Sequence, residues 1–292
     1  MIKNPDLDKY HVDLNEDVLH EILSHADIQS VFQLCQVNKT LCHQHDDLFH
    51  HIYDRFYHET GMDVFKTDQM TWFQLLKLCY QLFLLLLLPS LKNYTMGALY
   101  TMPQLYLSDS KIKVLPPEIG QLINLHILDL SHNQLSALPP EIGHLSHLLY
   151  LNLSHNQLSA LPPEIGQLSH LQRLYLSNNQ LSTLPQEIGK LSALQLLFLS
   201  NNQLSALPPE IGQLSALKYL SLYNNQLSTL PPEIGQLRAL HDLNLSDNQL
   251  SALPPEIRQL NNLKYLLLSN NNLSFVFIKK LRRQLPNTDI SV

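Results

Sequence analysis

Cysteine is scarce in this 292-residue chain: Cys35, Cys42 and Cys79 are the three it has, and nothing beyond residue 79 can enter a disulfide. A disulfide framework is thereby excluded over most of the molecule, which favours a reducing, intracellular (cytoplasmic) setting. Charge is sparse as well, 15% of residues, with 19 Lys and Arg against 25 Asp and Glu. A surface that tracks phosphates needs clustered Lys and Arg, so nucleic acid is not an expected partner. Long apolar runs are missing. The greasiest stretch, Leu82-Phe83-Leu84-Leu85-Leu86-Leu87-Leu88, is far short of the roughly 20 residues of a membrane span. It reads as a buried helix, and no membrane span is expected. The opening residues, Met1-Ile2-Lys3-Asn4-Pro5-Asp6, have no apolar core and no small-residue cleavage site, so a Sec-type leader is not expected either.

Chemistry-bearing motifs are also lacking. There is no nucleophile triad, Gly-rich phosphate loop or paired-acid motif, and neither catalysis nor a cofactor is expected. Eight of the 15 histidines fall in residues 1–100, among them His43, His45, His50 and His51 near Cys35 and Cys42. Zinc ligands want closer, regular spacing. The two cysteines are seven apart, and adjacent histidines leave a helix on different faces, so no metal site is expected.

What the chain does contain is repetition. Residues 125–147 read LHILDLSHNQLSALPPEIGHLSH and 148–170 read LLYLNLSHNQLSALPPEIGQLSH. The 23-residue unit begins at Met102, Leu125, Leu148, Leu171, Leu194, Leu217 and Leu240, and an eighth, from Leu263, keeps the pattern to Leu273. The consensus is LxxLxLxxNxLxxLPPEIxxLxx, without insertions. Its LxLxx portion alternates in and out, which predicts a short strand in every unit and a parallel sheet across units. Leu151 and Leu153 point inward to meet Leu158, Leu161, Ile165 and Leu168, an apolar set that one coil cannot enclose and stacked coils can. The ninth-position Asn (Asn133, Asn156, Asn179, Asn202, Asn225, Asn248, Asn271) offers two donors and an acceptor for stranded backbone groups between coils. Pro139-Pro140 and its equivalents fix φ and remove N–H groups, predicting an extended or tightly turned return and no long helix. The last unit ends in Phe275-Val276-Phe277-Ile278-Lys279-Lys280-Leu281-Arg282-Arg283-Gln284-Leu285. Ile278, Leu281 and Leu285 share a helical face there, which predicts a cap on the final coil.

These units resemble the Ras-suppressor-like leucine-rich repeats of intracellular scaffolds and bacterial effectors. The resemblance implies an α/β horseshoe solenoid with its parallel sheet on the concave face, and a protein as ligand. Some bacterial relatives carry a catalytic cysteine in a further helical domain, and none is expected after residue 285. Compared with one another, the units vary chiefly at their outward strand positions, the third and fifth. There, and at the one exceptional seventh position, stand Tyr106, Tyr150, Arg173, Tyr175, Phe198, Tyr219, Tyr223, Asp242 and Tyr265. Aromatic side chains give large contact area at low entropic cost, so these nine are the expected target-binding residues. The eighth position (His132, His155, Asn178, Asn201, Asn224, Asp247) reads as a polar margin.

Residues 1–100 are different in kind. They hold 7 Lys and Arg against 13 Asp and Glu, the whole of the net charge of -6. Apolar spacing predicts short helices carrying Leu14, Val18, Leu19, Ile22 and Leu23, then Val31, Phe32 and Leu34, then Leu41, Leu48, Phe49, Ile52 and Tyr53. The order of Leu14-Asn15-Glu16-Asp17-Val18, Val37-Asn38-Lys39 and Leu48-Phe49 resembles the F-box, and Trp72-Phe73-Gln74-Leu75-Leu76-Lys77 is similar to a segment that often follows one. Departures from the family pattern are Asn15, Ala26, Leu41 and Phe49. The resemblance implies a small all-α domain that docks on the Skp-type adaptor of a cullin–RING ubiquitin ligase. Leu14, Val18, Leu19, Ile22, Leu23, Val37, Leu48 and Phe49 would be shared between that interface and the domain's own core. The expected organisation is an F-box-like domain over 11–60, a helical linker and cap over 61–98, the solenoid over 99–277 and a cap and tail over 278–292. The helix from Trp72 to Leu88 is expected to cover the first coil. Function is expected to be substrate recruitment to the ligase, in a host cytoplasm if the chain is a bacterial effector. The alternative is a non-catalytic scaffold or inhibitor that sequesters a signalling protein.

Overall fold

A computed structural model of the chain describes Leu91 and residues 96–292. The chain divides into two compact units, Met1–Phe83 and Leu84–Val292. The expected head helices, the Trp72–Leu88 helix and the Cys/His segment lie outside the described residues.

A helix, α1 (Met96–Thr101), leads into the first coil. Each repeat then contributes one strand of three residues: β1 (Gln104–Tyr106), β2 (Ile127–Asp129), β3 (Tyr150–Asn152), β4 (Arg173–Tyr175), β5 (Leu196–Phe198), β6 (Tyr219–Ser221), β7 (Asp242–Asn244) and β8 (Tyr265–Leu267). All pair in parallel, in sequence order, with a register shift of 23 residues at every step from β1 to β8. The central leucine of each strand points inward and the residues flanking it point outward. Leu128, Leu151, Leu174 and Leu197 are fully buried, while their strand neighbours are half-buried or exposed.

The return of each coil is a five-residue 3-10 turn, from Pro117–Gln121 in the first unit to Pro255–Gln259 in the seventh. The proline pair explains this form. The first proline is extended, as in Pro139 with φ -70 and ψ 146, and the second opens the turn where an N–H is not needed. The Ile142 N–H then closes onto the Pro139 carbonyl at 3.0 Å, too short a span for an α-helix. Ile142 and Gly143 are buried. A Cβ added to Gly143 would stand 2.7 Å from the carbonyl oxygen of Glu164 in the next coil, so the turns stack too closely for any side chain there. In the last such turn the glycine is replaced by Arg258, and no further turn packs beyond it.

The asparagine ladder works as its chemistry predicts. The Asn202 amide donates to the carbonyls of Leu176 and Leu199, both at 3.0 Å, and its Oδ1 accepts from the Leu181 N–H at 3.0 Å. The first and last of these partners belong to the preceding coil. Asn202 is 8% exposed, so no solvent substitutes for those bonds. The same three-way pattern recurs at Asn133, Asn156, Asn179, Asn225, Asn248 and Asn271. Where the first unit has serine, the Ser110 hydroxyl turns to the Ser108 carbonyl at 3.4 Å.

The solenoid ends in α2 (Phe275–Gln284), capped by Ser274, whose hydroxyl accepts from the Phe277 N–H. Ile278, Leu281 and Leu285 are buried beneath it, as the helical spacing predicts. The chain then adds a strand with no repeat letters, β9 (Asp289–Ser291), parallel to β8. Ile290 takes the place of the inward leucine beside Leu266 and is 6% exposed. The sheet thus has nine strands. No described helix is long and apolar enough to cross a membrane.

Candidate functional site

Strand register brings the variable positions into two parallel rows on the outward face of the sheet. The third positions line up as Gln104, Ile127, Tyr150, Arg173, Leu196, Tyr219, Asp242 and Tyr265, and the fifth as Tyr106, Asp129, Asn152, Tyr175, Phe198, Ser221, Asn244 and Leu267. Neighbours in a row are one strand spacing apart, about 4.8 Å, near enough for rings to touch.

They do touch. Tyr150 and Tyr175 lie 5.2 Å apart at 42°, and Tyr175 stacks on Phe198 at 5.2 Å with planes 2° from parallel. These three cover one another and are half-buried, where the sequence predicts open exposure. Burial and the nearby Asp129 carboxylate hold the Tyr150 phenol above its ordinary range, so it remains a donor. Phe198 also borders a depression of about 160 Å³ together with Tyr219, Asp242, Tyr265 and Leu267, floored by the smaller Ser221 and Asn244. Tyr219 meets His241 edge-on at 6.4 Å. Six of the nine expected target-binding residues therefore fall into two adjoining groups that share Phe198. Tyr106, 61% exposed, turns its hydroxyl to Gln104 and has no ring contact among the described residues. Tyr223 is exposed two positions beyond β6 and does not border the depression. Arg173, exposed between Tyr150 and Leu196, has no ion pair among the described residues.

Polar residues on this face differ in how far they are already engaged. Asp129 accepts from the backbone N–H and the hydroxyl of Ser131, at 2.9 and 2.6 Å. Asn152 and Asn244 accept from the N–H groups of Ser154 and Ser246, both at 3.1 Å. These local turns orient the chain as it leaves each strand. Asp242 has no such bond.

The eighth position does more than line an edge. Asp109, His132, His155, Asn178, Asn201, Asn224, Asp247 and Asn270 all have φ between 52° and 59°. Among residues with a Cβ, these types enter the left-handed region most readily. Their side chains form a ladder of their own. His132 stacks on His155 at 4.1 Å, Asn178 donates to His155 Nε2 at 3.2 Å, and Asn224 donates to Asn201 at 2.8 Å. Burial, then the neighbouring His132, holds the His155 imidazole below its ordinary range, in keeping with an unprotonated Nε2 that accepts. The sequence carried this signal in its run of Asn, Asp and His, which the polar-margin reading missed.

Comparison with known proteins agrees with this architecture. A leucine-rich repeat region model matches residues 140–215 and 205–283, a leucine rich repeat model matches 101–158, and an F-box domain model matches 12–44. No curated protein matches. Among solved structures, the Leptospira interrogans LRR protein LIC12759 is 40% identical, with TM-score 0.56 over 68% of this chain and 56% of that one. An internalin from Listeria monocytogenes is 28% identical, with TM-score 0.54 over 63% of this chain and 52% of that one. A chain from the Drosophila Toll–Spatzle complex is 30% identical, with TM-score 0.54 over 58% of this chain and 23% of that one. The chain thus spans about half or less of the length of these structures. The matched families are protein-interaction modules. The copied coil, the nine-stranded parallel sheet and these matches lead to one assignment: the chain belongs to the leucine-rich-repeat proteins, with a match to the F-box domain at residues 12–44 ahead of its repeats.

Proposed function

We propose that this chain is the substrate-recruiting subunit of a cullin–RING (SCF-type) ubiquitin ligase. In this reading the F-box region, through Leu14, Val18, Leu19, Ile22, Leu23, Val37, Leu48 and Phe49, docks on a Skp-type adaptor, and the outward sheet face holds a target protein. Ubiquitin transfer belongs to other subunits, and this chain supplies no catalytic group. The observation that carries the reading is the pairing, in one chain, of an F-box match at residues 12–44 with an aromatic sheet face whose rings pack on one another and stay half-buried to exposed. Exposed apolar patches of this kind mark interaction sites. Such a ligase works inside a cell, and in a bacterial chain, an origin in keeping with the likeness to proteins of Leptospira and Listeria, the reading is of an effector acting in a host cytoplasm.

The test is capture of recombinant Skp-type adaptor and cullin by the full-length chain and by the double variant Leu14→Asp, Leu48→Asp. Adaptor retained by the wild type and lost by the variant, with unchanged melting of the repeats, is the expected result. A wild-type chain that captures no adaptor at micromolar concentration refutes the ligase reading and leaves a scaffold or inhibitor that holds its target directly.

A further inference from the structure

Among the acidic and amide side chains of β2 to β8 on the sheet face, Asp129, Asn152 and Asn244 are each engaged by a backbone N–H two residues on, whereas the Asp242 carboxylate makes no hydrogen bond or ion pair among the described residues; Asp289, exposed at the sheet's end beside Tyr265, is likewise without one. Asp242 is half-buried. Register places it directly between Tyr219 and Tyr265, and all three border the same depression, with Phe198 and Leu267 completing its apolar wall. A partner that covers this carboxylate takes it out of water, which is costly unless a cation accompanies it.

We propose that the Tyr219–Asp242–Tyr265 row receives a lysine or arginine side chain of the protein held on this face, a reading that rests on the recruitment role above. The spacing fits. The two tyrosines are two strand spacings apart, roughly 9.6 Å. A cation above Asp242 is roughly 5 Å from the strand that carries each tyrosine, a separation of the same order as the roughly 6 Å over which an aromatic face attracts positive charge. Asp242, on the strand between them, supplies the counter-charge. The small Ser221 and Asn244 leave room for the aliphatic stem to enter beside Phe198 and Leu267, so stem and head both find matching surface.

The test is selection of a random linear-peptide library on the full-length chain, followed by anisotropy measurements with the selected peptides. Three comparisons decide it: wild type against Asp242→Asn, wild type against Tyr175→Ala, and each peptide against its form with norleucine or citrulline in place of Lys or Arg. The norleucine and citrulline forms test the proposal on the unaltered protein, whatever a substitution does to folding. The expected result is peptides with a shared basic residue whose affinity falls at least about tenfold in the Asp242→Asn protein and in the neutralised peptide, a change of about 1.4 kcal/mol. Peptides without a basic residue that depend on Tyr175 overturn the Asp242 site and leave recruitment on this face standing. An empty selection, or peptides indifferent to both substitutions, overturns both.

Discussion

Replacing Asn202 by alanine isolates what the asparagine ladder contributes. The wild-type amide makes bonds of 3.0 Å to Leu176 O, Leu199 O and Leu181 N. The two carbonyls keep a second donor after the change, because Leu176 O also accepts from Asn179 and Leu199 O from Asn225. The Leu181 N–H has no other partner and lies under a side chain that is 0% exposed. An orphaned buried donor costs about 1–3 kcal/mol, and two weakened carbonyls add about 0.5–1.5 kcal/mol each, giving roughly 2–6 kcal/mol. That is a large share of the roughly 5–15 kcal/mol by which a typical domain is stable. Urea unfolding of the full-length chain, followed by circular dichroism, measures the loss. Hydrogen exchange at the Leu181 amide locates it, with protection falling there before it falls in distant coils. Asn271, at the last coil and only partly buried, should cost less on the same substitution. A loss under about 1 kcal/mol at Asn202, or equal losses at the two sites, would refute the argument that burial of the backbone partners sets the cost.

Two further outcomes follow from the packing and the histidine pair. Gly189→Ala puts a Cβ 2.6 Å from the Glu210 carbonyl oxygen of the next coil and should cost about 1–3 kcal/mol through overpacking, whereas Arg258→Gly, at an exposed position with no further 3-10 turn stacked on it, should change stability by less than about 1 kcal/mol; thermal melts of both variants check this. His155, lowered by burial and by His132, favours the fold in its neutral form, so its contribution is present above the unfolded pKa of about 6.5 and is lost as pH falls through the lowered folded value. Titration followed by NMR should place His155 below that reference and show it rising in His132→Asn; a wild-type value at or above about 6.5 overturns the assignment.

Much of this was legible in the letters because the coil copies itself. Inward leucines, the Asn ladder and the proline-opened turn each recur in unit after unit, so every local physical constraint is stated many times over. The two aromatic rows were legible for the complementary reason, as the positions where copying stops. What escaped was information not repeated or not apolar. β9 carries one inward isoleucine and no consensus letters, and it pairs because α2 returns the chain beside β8. The left-handed backbone at the eighth position was encoded by residue type, but Asn, Asp and His are also ordinary surface residues. The engagement of Asp129, Asn152 and Asn244, which Asp242 and the terminal Asp289 do not share, depends on turn geometry that no spacing rule displays.

The ladder's bonds reach fixed distances along the chain, 21 positions from the acceptor oxygen to a leucine N–H and 26 from the amide to a carbonyl. Removing or inserting one whole unit keeps every such distance, because each coil meets only its neighbours. Any other change in length displaces an asparagine from its partners and a glycine from the turn stacked upon it. The gene for such a chain can therefore lengthen or shorten by recombination between near-identical units in steps of 23 codons, and each step shifts the order of the outward rings without altering the core. Recognition is free to vary by shuffling coils, while the two ends, Ser110 and Arg258 among their marks, stay in place.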